Sequence, residues 1–234
     1  MKKIFLTLWF CFICSVSWGA AIDFTDPAWT EVDPGGNLTI ISNKISSNKI
    51  EARVEAYAYY DYGADYFGDT TADFTAYHDG AENSARMAFV AFSATAANGV
   101  MLYQMDQNDE GLAYFFREDG GGHYRTLQDY DGNSQDHSGE LGDIFTSYET
   151  LTREGATSTL TVDIYNDAER TDLNDTLTIT YNADTYRWMG VCANKGDTTL
   201  GDWNRVNALY TEDLDMDVGA PPPARRIIMI SQAK

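Results

Sequence analysis

Arg86-Met87-Ala88-Phe89-Val90-Ala91-Phe92 is apolar on both faces of an extended chain, the pattern of a strand buried between two layers. The wider stretch from Ala81 to Ala97 is rich in alanine and would pass for a helix on propensity. The large residues Phe89 to Phe92 inside it, and the Asn98-Gly99 turn that ends it, favour a strand followed by a turn. On either side the same extended period recurs. Glu51, Arg53, Glu55, Tyr57 and Tyr59 alternate with Ala52, Val54, Ala56 and Ala58, which predicts a strand over Glu51–Tyr59 with one small apolar face. Val100–Met105, Leu112–Arg117, Thr159–Tyr165, Thr176–Tyr181 and Tyr186–Ala193 complete the main set. Gly, Asn and Asp punctuate the gaps, as at Gly120-Gly121-Gly122 and Asp131-Gly132-Asn133. Many short strands with no helix pattern between them predict an all-β sandwich or jelly roll of antiparallel sheets.

The ends differ from this body. Lys2 and Lys3 precede an apolar run from Ile4 to Val16, and Ser17-Trp18-Gly19 puts small residues where a signal peptidase reads them. Residues 1–19 are therefore expected to be an export signal, cleaved after Gly19, and the protein to act outside the cell or on its surface. Phe10 and Ile13 stand before Cys11 and Cys14, where a lipid-anchor site wants a small residue. Residues 20–218 form the expected single domain. Gly219-Ala220-Pro221-Pro222-Pro223 opens a stiff spacer and tail over residues 219–234, where Arg225-Arg226 precedes Ile227-Ile228-Met229-Ile230. This tail is expected to self-associate or to dock on a partner.

The full sequence carries a net charge of −20, and loss of residues 1–19 takes away two lysines and no acid. Such a surface repels nucleic acid and attracts divalent cations. No later segment is apolar enough over a long enough span to cross a bilayer as a helix. Of the three cysteines only Cys192 lies beyond the signal, so the mature chain holds no internal disulfide.

Several stretches resemble the concanavalin A-like lectin/glucanase, or laminin-G-like, domains of many secreted bacterial and phage-associated proteins. Asp23-Phe24-Thr25 with Trp29-Thr30-Glu31-Val32-Asp33-Pro34 is similar to their first strand and turn. Tyr148 to Gly155 is similar to a central strand and turn, Leu160 to Tyr165 and Ala168 to Leu177 to the paired strands after it, and Thr211 to Met216 to the last strand. The resemblance spans about residues 22–218. It implies a jelly roll of two curved antiparallel sheets, often with carbohydrate binding, and leaves the function itself to be argued from a site.

Tyr57, Tyr59, Tyr60, Tyr62 and Tyr66 crowd into ten residues, and flat rings beside Asp and Asn side chains make platforms for sugar. They are the candidate ligand contacts. Asp129, Asp131, Asn133 and Asp136 place oxygens at near-alternate positions around Gly132, which suits calcium, although the segment lacks the sixth-position glycine of an EF-type loop. Asp213-Leu214-Asp215-Met216-Asp217 is the nearest approach to a paired-carboxylate catalytic strand, its acids expected on one face and Leu214 and Met216 in the core. It lacks the flanking glutamates of that motif. His78, His123 and His137 lie among polar, turn-like neighbours and are expected at the surface. No Gly-x-Ser-x-Gly elbow occurs. The expectation is thus a binding module for a glycan or surface polymer, without catalysis. A coat or appendage component and a glycan hydrolase or lyase are the alternatives.

Overall fold

The computed structural model describes residues 20–51, 54–63, 69–82, 85–94, 96–101, 111–181, 186–196 and 205–217. Residues 1–19, the expected export signal, the expected C-terminal tail and Tyr66 lie outside them. Among the described residues fifteen strands are formed: β1 (Ala20–Ala21), β2 (Trp29–Val32), β3 (Leu38–Ile41), β4 (Lys44–Glu51), β5 (Tyr57–Asp61), β6 (Thr70–Glu82), β7 (Arg86–Ser93), β8 (Leu112–Asp119), β9 (Gly122–Asp129), β10 (Ser134–Asp136), β11 (Ile144–Glu154), β12 (Thr159–Tyr165), β13 (Leu173–Thr180), β14 (Trp188–Asn194) and β15 (Arg205–Asp217). They make two antiparallel sheets. One runs β13-β12-β11-β6-β15-β4-β3, with β1 beside the end of β15. The other runs β10-β9-β8-β7-β14-β5-β2.

The core lies between the sheets. Phe74, Phe89, Phe92, Tyr114 and Phe116 meet Leu151, Leu160, Val162, Ile164 and Leu209 there, all essentially inaccessible to water. Each large side chain so buried contributes about 1.5–3 kcal/mol. β7 is apolar on both faces because its second face is covered too. Ala88, Ala91, Ala113 and Ala193 turn away from the core into a second cluster with Tyr57 and Phe115, capped by Val100 and Met101. The cap is a 3₁₀ turn, Ala97–Val100, and the alanines beneath it make room for it. A Cβ on Gly190 would stand 2.5 Å from the Val100 Cβ. Gly190→Ala should therefore cost about 1–3 kcal/mol. A melting temperature within a degree of wild type would show that the turn yields freely.

Several expectations need correcting. The alternation over Glu51–Tyr59 is not one strand, since β4 ends at Glu51 and β5 begins at Tyr57. The chain changes sheets between them, where the buried Asn194 amide donates to the carbonyls of Glu51 and Val54. Val100 belongs to the 3₁₀ turn instead of opening a strand, and residues 102–105 lie outside the described ones. All three histidines are buried, with His78 in β6 and His123 in β9. β6 itself alternates Thr71, Asp73, Thr75 and Tyr77 with Ala72, Phe74, Ala76 and His78, so His78 is carried inward with the apolar set.

At one side of the sandwich the sheets are tied together by Gln135. Its amide donates to the Thr176 carbonyl at 3.4 Å and its Oε1 accepts from the Thr178 amide at 2.7 Å, which occupies the open edge of β13. The opposite side holds the edge strands β2 and β3.

Candidate functional site

At that second side, β2 pairs with β5 so that Trp29 stands opposite Tyr60. Alternation sends Tyr60 and Tyr62 to the same face as Trp29, toward the core side of the sheet. Trp29 packs edge-on between Phe24 and Tyr60, with ring centroids 5.0 and 5.6 Å apart, and Tyr60 and Tyr62 lie 4.2 Å apart. Just before β2 the chain turns tightly through two aspartates. Asp23 Oδ1 accepts from the Thr25 amide and hydroxyl at 2.9 and 2.6 Å, and Asp26 Oδ1 accepts from the Ala28 amide at 2.8 Å. The Thr25 hydroxyl, and secondarily its amide, hold the Asp23 carboxyl below its ordinary range. Asp23, Asp26, Trp29, Tyr60 and Tyr62, with Ile22 and Met216 behind them, line a depression of about 300 Å³. The three rings are half-buried and both carboxylates are exposed, so the depression has an aromatic wall and an acidic rim.

The four candidate tyrosines among the described residues therefore divide. Tyr60 and Tyr62 enter this pocket. Tyr57 and Tyr59 face the other way, into the cluster under the 3₁₀ turn, where burial pushes the Tyr57 phenol up to about 12. Trp29, Asp23 and Asp26 were not among the candidates, because only the β2–β5 register brings them to the tyrosines.

The Asp129–Asp136 segment is a hydrogen-bonded turn. Asp129 is buried and accepts from the Asn133 amide at 2.9 Å and from its side chain at 2.7 Å. Asp136 accepts from Arg117 at 2.9 Å and from the Thr126 hydroxyl at 2.6 Å, while Asp131 is exposed. Among the described residues no group of three or more His, Cys, Asp or Glu is arranged to hold a metal ion. A calcium ion at this loop would share the Asp129 and Asp136 oxygens with those donors. Asp129→Ala is expected to cost about 1–3 kcal/mol through its lost buried hydrogen bonds, equally with calcium or chelator. A loss confined to calcium-containing buffer would make the loop a calcium site after all.

On β15, Leu214 and Met216 are buried as expected, which leaves Asp213, Asp215 and Asp217 on the other side of the strand. A bulge follows Glu212, and Asp213 sits in it at φ +54°, accepting from the Asn43 side chain at 2.8 Å. Asp215 and Asp217 stand opposite Asp73 and Thr71 of β6. A larger depression, about 500 Å³, lies beside this end of the sheet and is lined by Asp69, Thr71, Thr152, Arg153, Glu154 and Asp217. Among the described residues no aromatic ring lines it. Its Arg153 is 3% exposed and lies over the Tyr181 and Tyr186 rings.

Buried polar chemistry also sits between the sheets. Arg125, His78, Ser147, Glu149 and Tyr114 form one fully enclosed network. His78 Nε2 lies 2.9 Å from the Gly142 carbonyl, which places its proton there and leaves Nδ1 to accept from Arg125. Glu149 Oε1 accepts from Ser147 at 2.6 Å and from Tyr114 at 3.0 Å, with Arg125 Nε 4.0 Å away.

No family model matches the chain, and no curated protein does either. Solved structures do. A legume lectin-like domain from Entamoeba histolytica superposes with a TM-score of 0.55 at 10% identity, covering 82% of this chain and 91% of that one. Lectin I-B4 of Griffonia simplicifolia in its metal-free form gives 0.54 at 9% identity, over 82% and 94%. The GH43B protein of a xyloglucan locus in Bacteroides ovatus gives 0.51 at 11% identity, over 84% of this chain and 38% of that one. Two antiparallel sheets in this order, with these likenesses, give the chain the fold of the concanavalin A-like lectin sandwich.

Proposed function

We propose that the protein is an exported glycan-binding module and that the Trp29–Tyr60–Tyr62 depression is its binding site. One observation carries this reading. A half-buried aromatic wall and a rim of two anchored carboxylates meet in a space of about 300 Å³, on a sandwich of lectin-like fold. Rings stack on the C–H faces of a sugar, and carboxylate oxygens accept from its hydroxyls. The reading is of binding without bond cleavage. Asp213 sits in its bulge and accepts from Asn43, and the strand carries none of the flanking glutamates of a paired-carboxylate motif, which favours binding over cleavage. Export rests on residues 1–19, and the secreted form should begin at Ala20 when its N-terminus is sequenced.

The test is a glycan array followed by titration of the best binder. Tyr62→Ala should weaken binding about tenfold, the value of one ring contact, with a change of only a few degrees in melting temperature. Tyr59→Ala, on the opposite face, should leave binding unchanged. If Tyr62→Ala melts far lower and binds as before, the ring is core and the site lies elsewhere.

A further inference from the structure

We infer that the Trp29–Tyr60–Tyr62 pocket selects glycans bearing a protonated amine, the amino sugars, over neutral and uronate-bearing ones. This rests on the pocket being the glycan site. Three features of the pocket point the same way, and each acts on charge.

The first is the wall. Trp29 and Tyr62 stand with ring centroids 5.6 and 4.2 Å from that of Tyr60, and the electron-rich faces of such rings attract an ammonium group. The second is the rim. Asp23 and Asp26 each commit Oδ1 to the turn that builds them, to Thr25 and to Ala28. The Oδ2 atom of each accepts nothing from the described residues. Two anchored carboxylates therefore offer acceptors with no conformational search left to make, and the turn would not rearrange to use them. The third is what is missing among the described lining residues, where there is no Lys, Arg or His. Arg187, whose carbonyl accepts from the Tyr62 amide, has its guanidinium clamped on Asp61 through bonds of 2.7 and 2.6 Å. A uronate entering the pocket would meet two carboxylates and no cationic side chain among the described lining residues. An acetamide would meet the rings but offer the carboxylates only a neutral donor. An ammonium meets all three features at once. The field of the whole chain, at net charge −20, adds to the bias by concentrating cations near the surface.

Titration of the purified protein with a β-1,4 glucosamine trisaccharide, its N-acetylated form and a galacturonate trisaccharide tests this. At pH 6 and low salt the amine form should bind about tenfold tighter than the acetylated one, and the uronate should not bind measurably. The preference should shrink at pH 9, where the amine is neutral. Asp23→Asn and Asp26→Asn keep the Oδ1 contacts of the turn, so each should cut amine binding and spare the acetylated sugar. Glu154→Gln removes an equal charge at the other depression and should change neither. Equal binding of amine and acetylated sugars, both weakened by Tyr62→Ala, would overturn the amine selectivity and leave the pocket a glycan site. Binding indifferent to Tyr62→Ala and Asp26→Asn alike would overturn both. A loss as large in Glu154→Gln as in Asp26→Asn would mean that only the overall field is sensed.

Discussion

Replacement of Arg125 by methionine should cost about 3–5 kcal/mol in urea denaturation at pH 8, among the largest single losses available in this fold. The guanidinium is wholly buried. It lies 4.3 Å over Phe89 and 5.5 Å from the Phe145 ring, donates to His78 Nδ1, and reaches the Ser147 hydroxyl at 3.3 Å. Methionine fills much of the apolar volume but leaves the Glu149 carboxylate with two hydroxyls and without the buried charge beside it. Breaking one partner of a buried charged pair is costly because the other stays enclosed, whereas removing both together often costs little. The double variant Arg125→Met with Glu149→Gln should therefore recover about 1–3 kcal/mol of the sum of the single losses. The Arg125→Met loss should also be smaller at pH 5, where Glu149 is protonated in the folded protein. Strict additivity of the two substitutions, with no pH dependence, would mean that the network is a set of independent contacts.

That network shows where the sequence is readable and where it is not. β12 is legible from Thr159 to Tyr165 because Leu160, Val162 and Ile164 alternate with polar residues, and β7 because its second face is as apolar as its first. β6 has equally regular alternation, but half of its inward set is alanine and one member is histidine, so the pattern carries little hydrophobic contrast. His78 reads as a surface residue until Arg125, 47 residues away, is placed beside it. The pocket divides in the same way. An excess of tyrosine marks Tyr60 and Tyr62 within their own segment. Trp29 and the two aspartates join them through strand register, which no local window contains. Which tyrosines point to solvent depends on the Ala97–Val100 turn covering the opposite face, and that turn lies in a stretch whose composition suggests helix or strand.

The pH dependence of stability should have a plateau in mild acid, produced by two buried groups that titrate against each other. Burial pushes the Glu149 carboxyl up to about 7, although Arg125, Ser147, Tyr114 and Arg170 all favour its charged form. Burial, then the charge of Arg125, and lastly that of His123, push His78 down to about 2, against the bond to Gly142. For Glu149 the folded protein binds the proton more tightly than the unfolded chain. Its burden is therefore full above pH 7, at about 3 kcal/mol, and is relieved as pH falls toward 4.5. For His78 the unfolded chain binds the proton more tightly, so stability is lost as pH falls below 6.5 and goes on being lost down to about 2. Between about pH 6.5 and 4.5 folding takes up a proton at one site and releases one at the other, and the two slopes cancel. Below 4.5 only His78 contributes of the two, and stability should fall by about 1.4 kcal/mol per pH unit. The exposed aspartates held low by their hydrogen bonds, Asp23 and Asp167, steepen that fall in stronger acid. Glu149→Gln removes one side of the balance. In that variant the decline should begin at pH 6.5 with no plateau, as read by urea midpoints at half-unit steps. His78→Gln keeps an acceptor for Arg125 and a donor for the Gly142 carbonyl but cannot titrate, so its stability should instead rise as pH falls from 7 to 4.5. If both variants keep the wild-type profile, the plateau has another origin and the enclosed network does not exchange protons with folding.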